Sequence, residues 1–301
     1  MESLFGSASY LPPDCFFEEG IENQQPSMPV SQPPVFSSSL IQAPSAQNSS
    51  SESSGTVLGS AVSFLQGGPD SDVLIGDASD NTIEGAGGND ILEGLAGDDT
   101  LNGGSDNDRI SGGAGNNMLN GGTGEDTVTF ADTRGDVTVD LTRQGQPQET
   151  GDGIDTLTNF SNIEGSEVGN DRLEGDNNDN TLVGLGGNDT IEGGLGDDRL
   201  TGVGGDDVLR GGAGADTFSF TTANGQISLG NDVITDFDPR EDKLDVATTF
   251  ASLNEVLGAA SQVGADTLIS FGDSGSVRLQ NVAVGDVVTP AVIEGAAPAF
   301  A

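Results

Sequence analysis

Residues 67–129 read GGPDSDVLI GDASDNTIE GAGGNDILE GLAGDDTLN GGSDNDRIS GGAGNNMLN GGTGEDTVT, seven consecutive units of nine residues. Repetition at a fixed short period decides architecture before any single residue does, because each unit must bury its apolar side chain against its neighbours. A second run, 166–219, adds six units: SEVGNDRLE GDNNDNTLV GLGGNDTIE GGLGDDRLT GVGGDDVLR GGAGADTFS. The eighth position is large and apolar throughout: Leu74, Ile83, Leu92, Leu101, Ile110, Leu119 and Val128, then Leu173, Leu182, Ile191, Leu200, Leu209 and Phe218. Its neighbours are mostly polar, which is the alternation of a very short strand with one inward side chain. This column is the expected core.

The sixth position holds Asp72, Asn81, Asp90, Asp99, Asp108, Asn117 and Asp126 in the first run, and Asp171, Asn180, Asp189, Asp198, Asp207 and Asp216 in the second. Glycine dominates positions one to four, where it lets the backbone adopt positive φ and turn carbonyl oxygens toward a common centre. A hard cation wanting about six to eight oxygens can draw several from such carbonyls and the rest from carboxylates of adjacent turns. Calcium suits that flexible shell better than magnesium, which demands a tight octahedron and keeps its waters. The sixth column is therefore the expected metal-ligand set.

The 36 residues 130–165 equal four periods, yet the slots due to be apolar fall on Val137, Gln146, Asp155 and Glu164, of which only the first fits. The segment is expected to be an irregular insert or a pair of caps, with strands near 137–141 and 157–163. After Phe220 come strand candidates at 232–237, 267–271 and 277–282, and a short helix over 252–261 with Leu253, Val256 and Leu257 on one face. This is a small β-rich cap, which a repeat stack needs to cover its last apolar coil. Residues 1–60 are rich in Ser, Pro and Gln and are expected to be a disordered arm carrying the single Cys15. With one cysteine no internal disulfide is possible.

Acids outnumber Lys plus Arg by 49 to 9, for a formal net charge of -40, so compaction calls for a cationic partner. No basic residue precedes Arg109, which excludes nucleic acid as a partner for the first third of the chain. There is no run of apolar residues long enough for a transmembrane segment, and the start of the chain lacks the basic and apolar regions of a cleavable export signal. The chain has no histidine, which excludes HExxH zinc chemistry and Ser-His-Asp or Cys-His nucleophiles. A glycosidase-type carboxylate pair is not excluded by composition, but no compact catalytic domain accompanies it.

The thirteen units resemble the GGxGxDxUx repeat of the RTX, or hemolysin-type calcium-binding, family. Asp70, Ser79, Asp106 and Asn178 depart from its glycine at position four, and Ser166 opens the second run in place of glycine. The resemblance implies an all-β fold: a right-handed parallel β-roll in two stacks, 67–129 and 166–219, with two units per coil and calcium between successive turns of one side. About nine ions would be bound in all. The stretch NDVITDFDPREDKLDV at 231–246 is similar to the region that follows the repeats in type I secreted members of the family. Residues 220–301 are then expected to hold both the cap and an uncleaved signal for the type I secretion apparatus.

Two carboxylates about 4 Å apart repel by roughly 4 kcal/mol at an effective dielectric of 20, and one inward side chain per nine residues buries little. At ten times the dissociation constant each ion returns about 1.4 kcal/mol, so roughly nine return about 12 kcal/mol, comparable to a whole domain's stability. The expectation is a non-catalytic calcium-binding protein, secreted or at the cell surface, that folds on several Ca2+ ions and serves a structural or adhesive role toward cell-surface or matrix components. A secreted effector or toxin-like factor is the alternative, and a carbohydrate-active enzyme using the repeats for export and folding a remoter one.

Overall fold

The computed structural model describes residues 63–220, 229–246, 250, 252–287, 289 and 292–294, and the backbone of 56–58. The expectations for the N-terminal arm up to residue 55, Cys15 included, lie outside them. The architecture is a parallel β-roll. Its strands are two to six residues long, and in the repeats their register advances by two units per coil, as in Val73↔Ile91 and Ile91↔Arg109 on one face and Thr82↔Thr100 and Thr100↔Met118 on the other. The eighth-position column is entirely buried and stacks as Leu74↔Leu92↔Ile110↔Val128 and Ile83↔Leu101↔Leu119.

The roll begins one coil before Gly67. Strand Thr56–Leu58 pairs with Val73–Ile75, and Phe64–Gln66 pairs with the strand Thr82–Gly87, placing Leu65 against Ile83. The expected arm over 1–60 therefore overlaps the first strand. The boundary was hidden because the unit that ends at Gln66 has Ser63 where later units have Asp or Asn.

Residues 130–165 are less separate from the repeats than expected. Ile154–Thr158 joins the first run's six-stranded sheet with Leu157 against Leu119, and Asn162–Glu164 lies between Thr127–Thr129 and Thr181–Gly186 with Ile163 against Val128 and Leu182. An eleven-stranded sheet thus runs unbroken through both runs on one face. On the opposite face the runs stay apart: Pro147–Glu149 ends the six-stranded sheet by antiparallel pairing, and Thr138–Asp140 opens an eight-stranded one.

The C-terminal cap continues both ladders. Gly230–Ile234 and Gly275–Leu279 extend the eight-stranded sheet in parallel, and Asp266–Ser270 and Ala260–Val263 finish it as an antiparallel hairpin. Lys243–Asp245 and Ile293–Glu294 extend the other sheet. Phe218 meets Phe237, and Phe271 meets Phe220 and Phe250, at centroid distances of 5.5–5.8 Å, closing the apolar end. The expected helix spans Leu253–Ala259 and buries Leu253 and Val256, but Leu257 is half exposed, because the chain turns into Ala260–Val263 instead of continuing the helical face.

Candidate metal centres

Each unit turns through its first six residues and ends that turn on the sixth-position side chain. That side chain folds inward, and in nine of the thirteen units its Oδ1 accepts the backbone N–H of the sixth-position residue one coil earlier. Along one edge Asp72 donates to Asp90, Asp90 to Asp108 and Asp108 to Asp126, each at 2.8 Å. Farther along it Asn180 donates to Asp198 and Asp198 to Asp216. Along the other edge Asn81 donates to Asp99 and Asp99 to Asn117, and later Asp171 to Asp189 and Asp189 to Asp207. All thirteen sixth-position residues fall on these two ladders, and all but the half-buried Asp72 are buried.

The ladders hold three further carboxylates. Asp155 accepts the N–H of Asn117, Asp232 that of Asp207 and Asp242 that of Asp216. The nine-residue count passes over them, since the spacings become 38, 25 and 26 residues. A signal was present: each opens an Asp-x-apolar triplet, Asp155-Thr156-Leu157, Asp232-Val233-Ile234 and Asp242-Lys243-Leu244.

The second carboxylate oxygens separate the thirteen. Oδ2 of Asp90, Asp99, Asp108, Asp126, Asp189, Asp198 and Asp207 is buried with no hydrogen-bond partner. A buried polar atom left so costs about 1–3 kcal/mol, more when charged, and a row of them calls for an explanation. Other members are satisfied from within. Asp72 Oδ2 accepts the Gly68 N–H and Asp171 Oδ2 the Ser166 N–H, with the Ser166 hydroxyl donating to Asp171 Oδ1, while the amide oxygens of Asn81 and Asn180 accept the N–H groups of Asp77 and Asp176. Asn117 instead donates to the Gly113 carbonyl.

Position-one glycines show where the unpartnered oxygens point. A Cβ built on Gly103 would lie 2.2 Å from Asp108 Oδ2 and 2.6 Å from the Gly121 carbonyl oxygen of the next coil. The same pair of atoms, a carboxylate oxygen and a carbonyl one coil on, crowds Gly85, Gly94 and Gly193. Glycine at position one is thus required for space. At positions two and four it serves backbone conformation, as at Gly104 (φ 118°) and Gly97 (φ 117°). Among the described residues no group of three or more acidic side chains gathers in a metal-holding arrangement. The remainder of a shell of about six to eight oxygens would have to come from carbonyls. Buried carboxylate oxygens facing carbonyls fit a hard cation.

Four stretches, 66–101, 93–128, 167–200 and 192–225, match the family model of the RTX calcium-binding nonapeptide repeat. These are RTX calcium-binding repeats. Among solved structures, extracellular lipase LipA from Serratia marcescens is 21% identical over 72% of this chain and 38% of its own, with a TM-score of 0.26. The AlgE6R2 subunit of the Azotobacter vinelandii mannuronan C5-epimerase is 29% identical over 43% of this chain and 94% of its own, with a TM-score of 0.31. The AlgE6R3 subunit is 29% identical over 43% and 81%, with a TM-score of 0.30. The chain covers well under two thirds of the lipase's length. No curated protein sequence matches it.

In an RTX roll the calcium would be held by the unpartnered Oδ2 atoms and the carbonyls facing them, and would supply the positive charge these carboxylates lack. Gly103→Ala tests that cradle. The added methyl is expected to cost about 1–3 kcal/mol by overpacking and to raise the calcium concentration at the folding midpoint. Gly258→Ala, in the helix Leu253–Ala259 where a Cβ meets nothing within 4 Å, should not raise that midpoint, since alanine favours a helix over glycine.

Burial is the main cause that raises the column's proton affinity, and neighbouring carboxylates add to it. Asp189 and Asp198 are pushed up to about 7, and Asp90, Asp99, Asp108 and Asp207 to about 6. The N–H groups donated from the preceding coil pull the other way without prevailing. Because the folded values lie above the ordinary 3.8, the metal-free roll keeps protons that the unfolded chain releases. That contribution is complete below about pH 4 and is lost as pH rises through about 6 to 7. Acidifying the metal-free chain from about pH 8 to about pH 5 should therefore increase its β-sheet circular dichroism. Calcium affinity should fall over the same interval, as protons and metal compete for the same oxygens.

Proposed function

We propose that this RTX protein is a secreted or cell-surface calcium-binding scaffold, non-catalytic and structural or adhesive in role, which closes its roll on calcium outside the cell. The carrying observation is the column of buried Oδ2 atoms without partners, repeated through both runs. Such a column is at odds with folding where free calcium is scarce and suits folding where sites of about 10⁻⁴ to 10⁻³ M affinity fill. A chain carrying a formal charge of -40 stays expanded until that charge is offset, which would keep it threadable for the type I secretion apparatus. The non-catalytic part of the reading is supported by the absence of histidine from the chain. No helix among the described residues is long and apolar enough to cross a membrane, so attachment to a surface would rest on matrix or cell-surface partners.

Fractionation of producing cells grown with millimolar-range calcium tests the proposal. The chain is expected in the medium or on the outer surface, folded and released by chelator. Retention inside the cell in a folded, calcium-independent form would overturn it.

A further inference from the structure

Position five of the unit, directly before the metal column, is left open by the repeat motif, yet its residues are far from arbitrary. Asn, Asp or Ser fills it in eleven of the thirteen units, and the two exceptions, Glu125 and Ala215, stand in the last unit of each run. In all eleven the side-chain oxygen accepts the backbone N–H of the residue in the same slot one coil later, at 2.7–3.1 Å. Asn107 donates to Asn89 and Glu125 to Asn107, just as Asn188 donates to Asn170 and Asp206 to Asn188.

The exceptions obey the same rule, because neither has a donor to accept. The slot one coil beyond Glu125 is Phe160, whose N–H goes to the Gln144 side chain. Beyond Ala215 it is Glu241, whose N–H goes to the Asp238 carbonyl. On the other edge, where the coil beyond each run keeps its register, the oxygen is kept as well: Asn116 accepts from Ile154 and Asp206 from Asn231. Asp136, outside both runs, fills the same slot and accepts from Asn170.

This ladder runs against that of the metal column. The N–H of Asn89 reaches back to Ser71, and the next one, of Asp90, reaches forward to Asp108. Two bonds of opposite direction side by side fix both the separation and the tilt of neighbouring turns, where one alone would act as a hinge. The two ladders also differ in what they need. Buried sixth-position carboxylates leave Oδ2 without a partner, whereas the eleven fifth-position side chains are exposed, and an Asn there completes its bond with no charge to offset. We infer that position five is the positioning residue of the turn: a metal-independent ladder that aligns successive coils, so that the carbonyls and Oδ2 atoms facing one cation come from turns already in register. The inference rests on the reading that the turns take calcium, and it adds residues that do not themselves touch the ion.

Amide hydrogen exchange in saturating calcium, together with a calcium titration of the full chain by calorimetry and circular dichroism, tests this. Changing Asn89, Asn107, Asn170 and Asn188 together to alanine removes four acceptors and no charge. Exchange of the N–H groups left without them, those of Asn107, Glu125, Asn188 and Asp206, should quicken by roughly fivefold or more. The calcium midpoint of folding should rise roughly twofold, with the ion count unchanged. The serine quartet, which keeps an oxygen as Ser71 does, should recover most of both. Ala215→Asn, an acceptor with no donor opposite, should change neither. Should the alanine quartet not fold at any calcium concentration, Asn107→Ala combined with Asn188→Ala carries the comparison. Wild-type exchange in the alanine variant, or a serine quartet as damaged as the alanine one, overturns the inference. So does a loss of bound ions, which would make position five a ligand. A wild-type chain that folds without taking calcium would instead remove the turn reading, and the exchange contrast would still decide the ladder.

Discussion

Stripping divalent metal from the folded protein at neutral pH is expected to unfold the roll, with loss of most β-sheet circular dichroism and a large increase in hydrodynamic radius. Seven buried carboxylate oxygens have no hydrogen-bond partner. At about 1–3 kcal/mol for each, their combined cost matches or exceeds the ~5–15 kcal/mol that holds a typical domain together. The core has little to set against this, since a three-residue strand such as Val73–Ile75 or Arg109–Ser111 brings one large apolar side chain inward. Returning calcium should restore the signal in one cooperative step, because each ion would bridge coils that already share a ladder. Magnesium at equal concentration should restore much less, as its tight octahedron suits a carbonyl-rich shell poorly.

The second large effect is expected from Asp90, Asp99, Asp189 and Asp198 changed together, and the choice of replacement separates two roles. Each Oδ1 accepts a backbone N–H from the preceding coil, donated by Asp72, Asn81, Asp171 and Asn180, while each Oδ2 is free for metal. Alanine removes both, leaving four N–H donors and the cation without acceptors, so the alanine quartet should remain unfolded at any calcium concentration. Asparagine keeps the acceptor and loses the charge, as Asn117 does when it accepts from Asp99. The asparagine quartet should still fold, but only at calcium concentrations raised by tenfold or more, which far-ultraviolet circular dichroism during titration would read. Equal calcium midpoints for wild type and both quartets would remove the sixth column from the metal sites.

Much of this arrangement was legible in the sequence because core and ligand columns share one fixed period. Leu74 and Asp72, or Leu200 and Asp198, keep their offset through thirteen units, and a constant offset on a stacked coil means a constant direction. Legibility failed where the coil length varies. Leu157 and Ile163 continue the core column, but slipped spacings put Asp155 and Glu164 where a strict nine-residue period has its apolar slots. Asp155 was passed over for the same reason, although it occupies a ligand-column position, and Asp232 and Asp242 lay beyond the last counted unit. The first coil was hidden by Ser63, which breaks the acidic column while Leu65 keeps the apolar one. The role of glycine at position one was not visible either. It depends on a carbonyl from the next coil, and only the stacked structure brings Gly121 against Gly103.

The most direct measurement is a calorimetric calcium titration of the metal-free chain with circular dichroism recorded at every addition. Binding of several ions and the appearance of β structure should rise together and saturate together. A metal-free chain already fully β-structured, or one that binds calcium with no gain of structure, would contradict the claim that the acidic turns close only around a divalent cation.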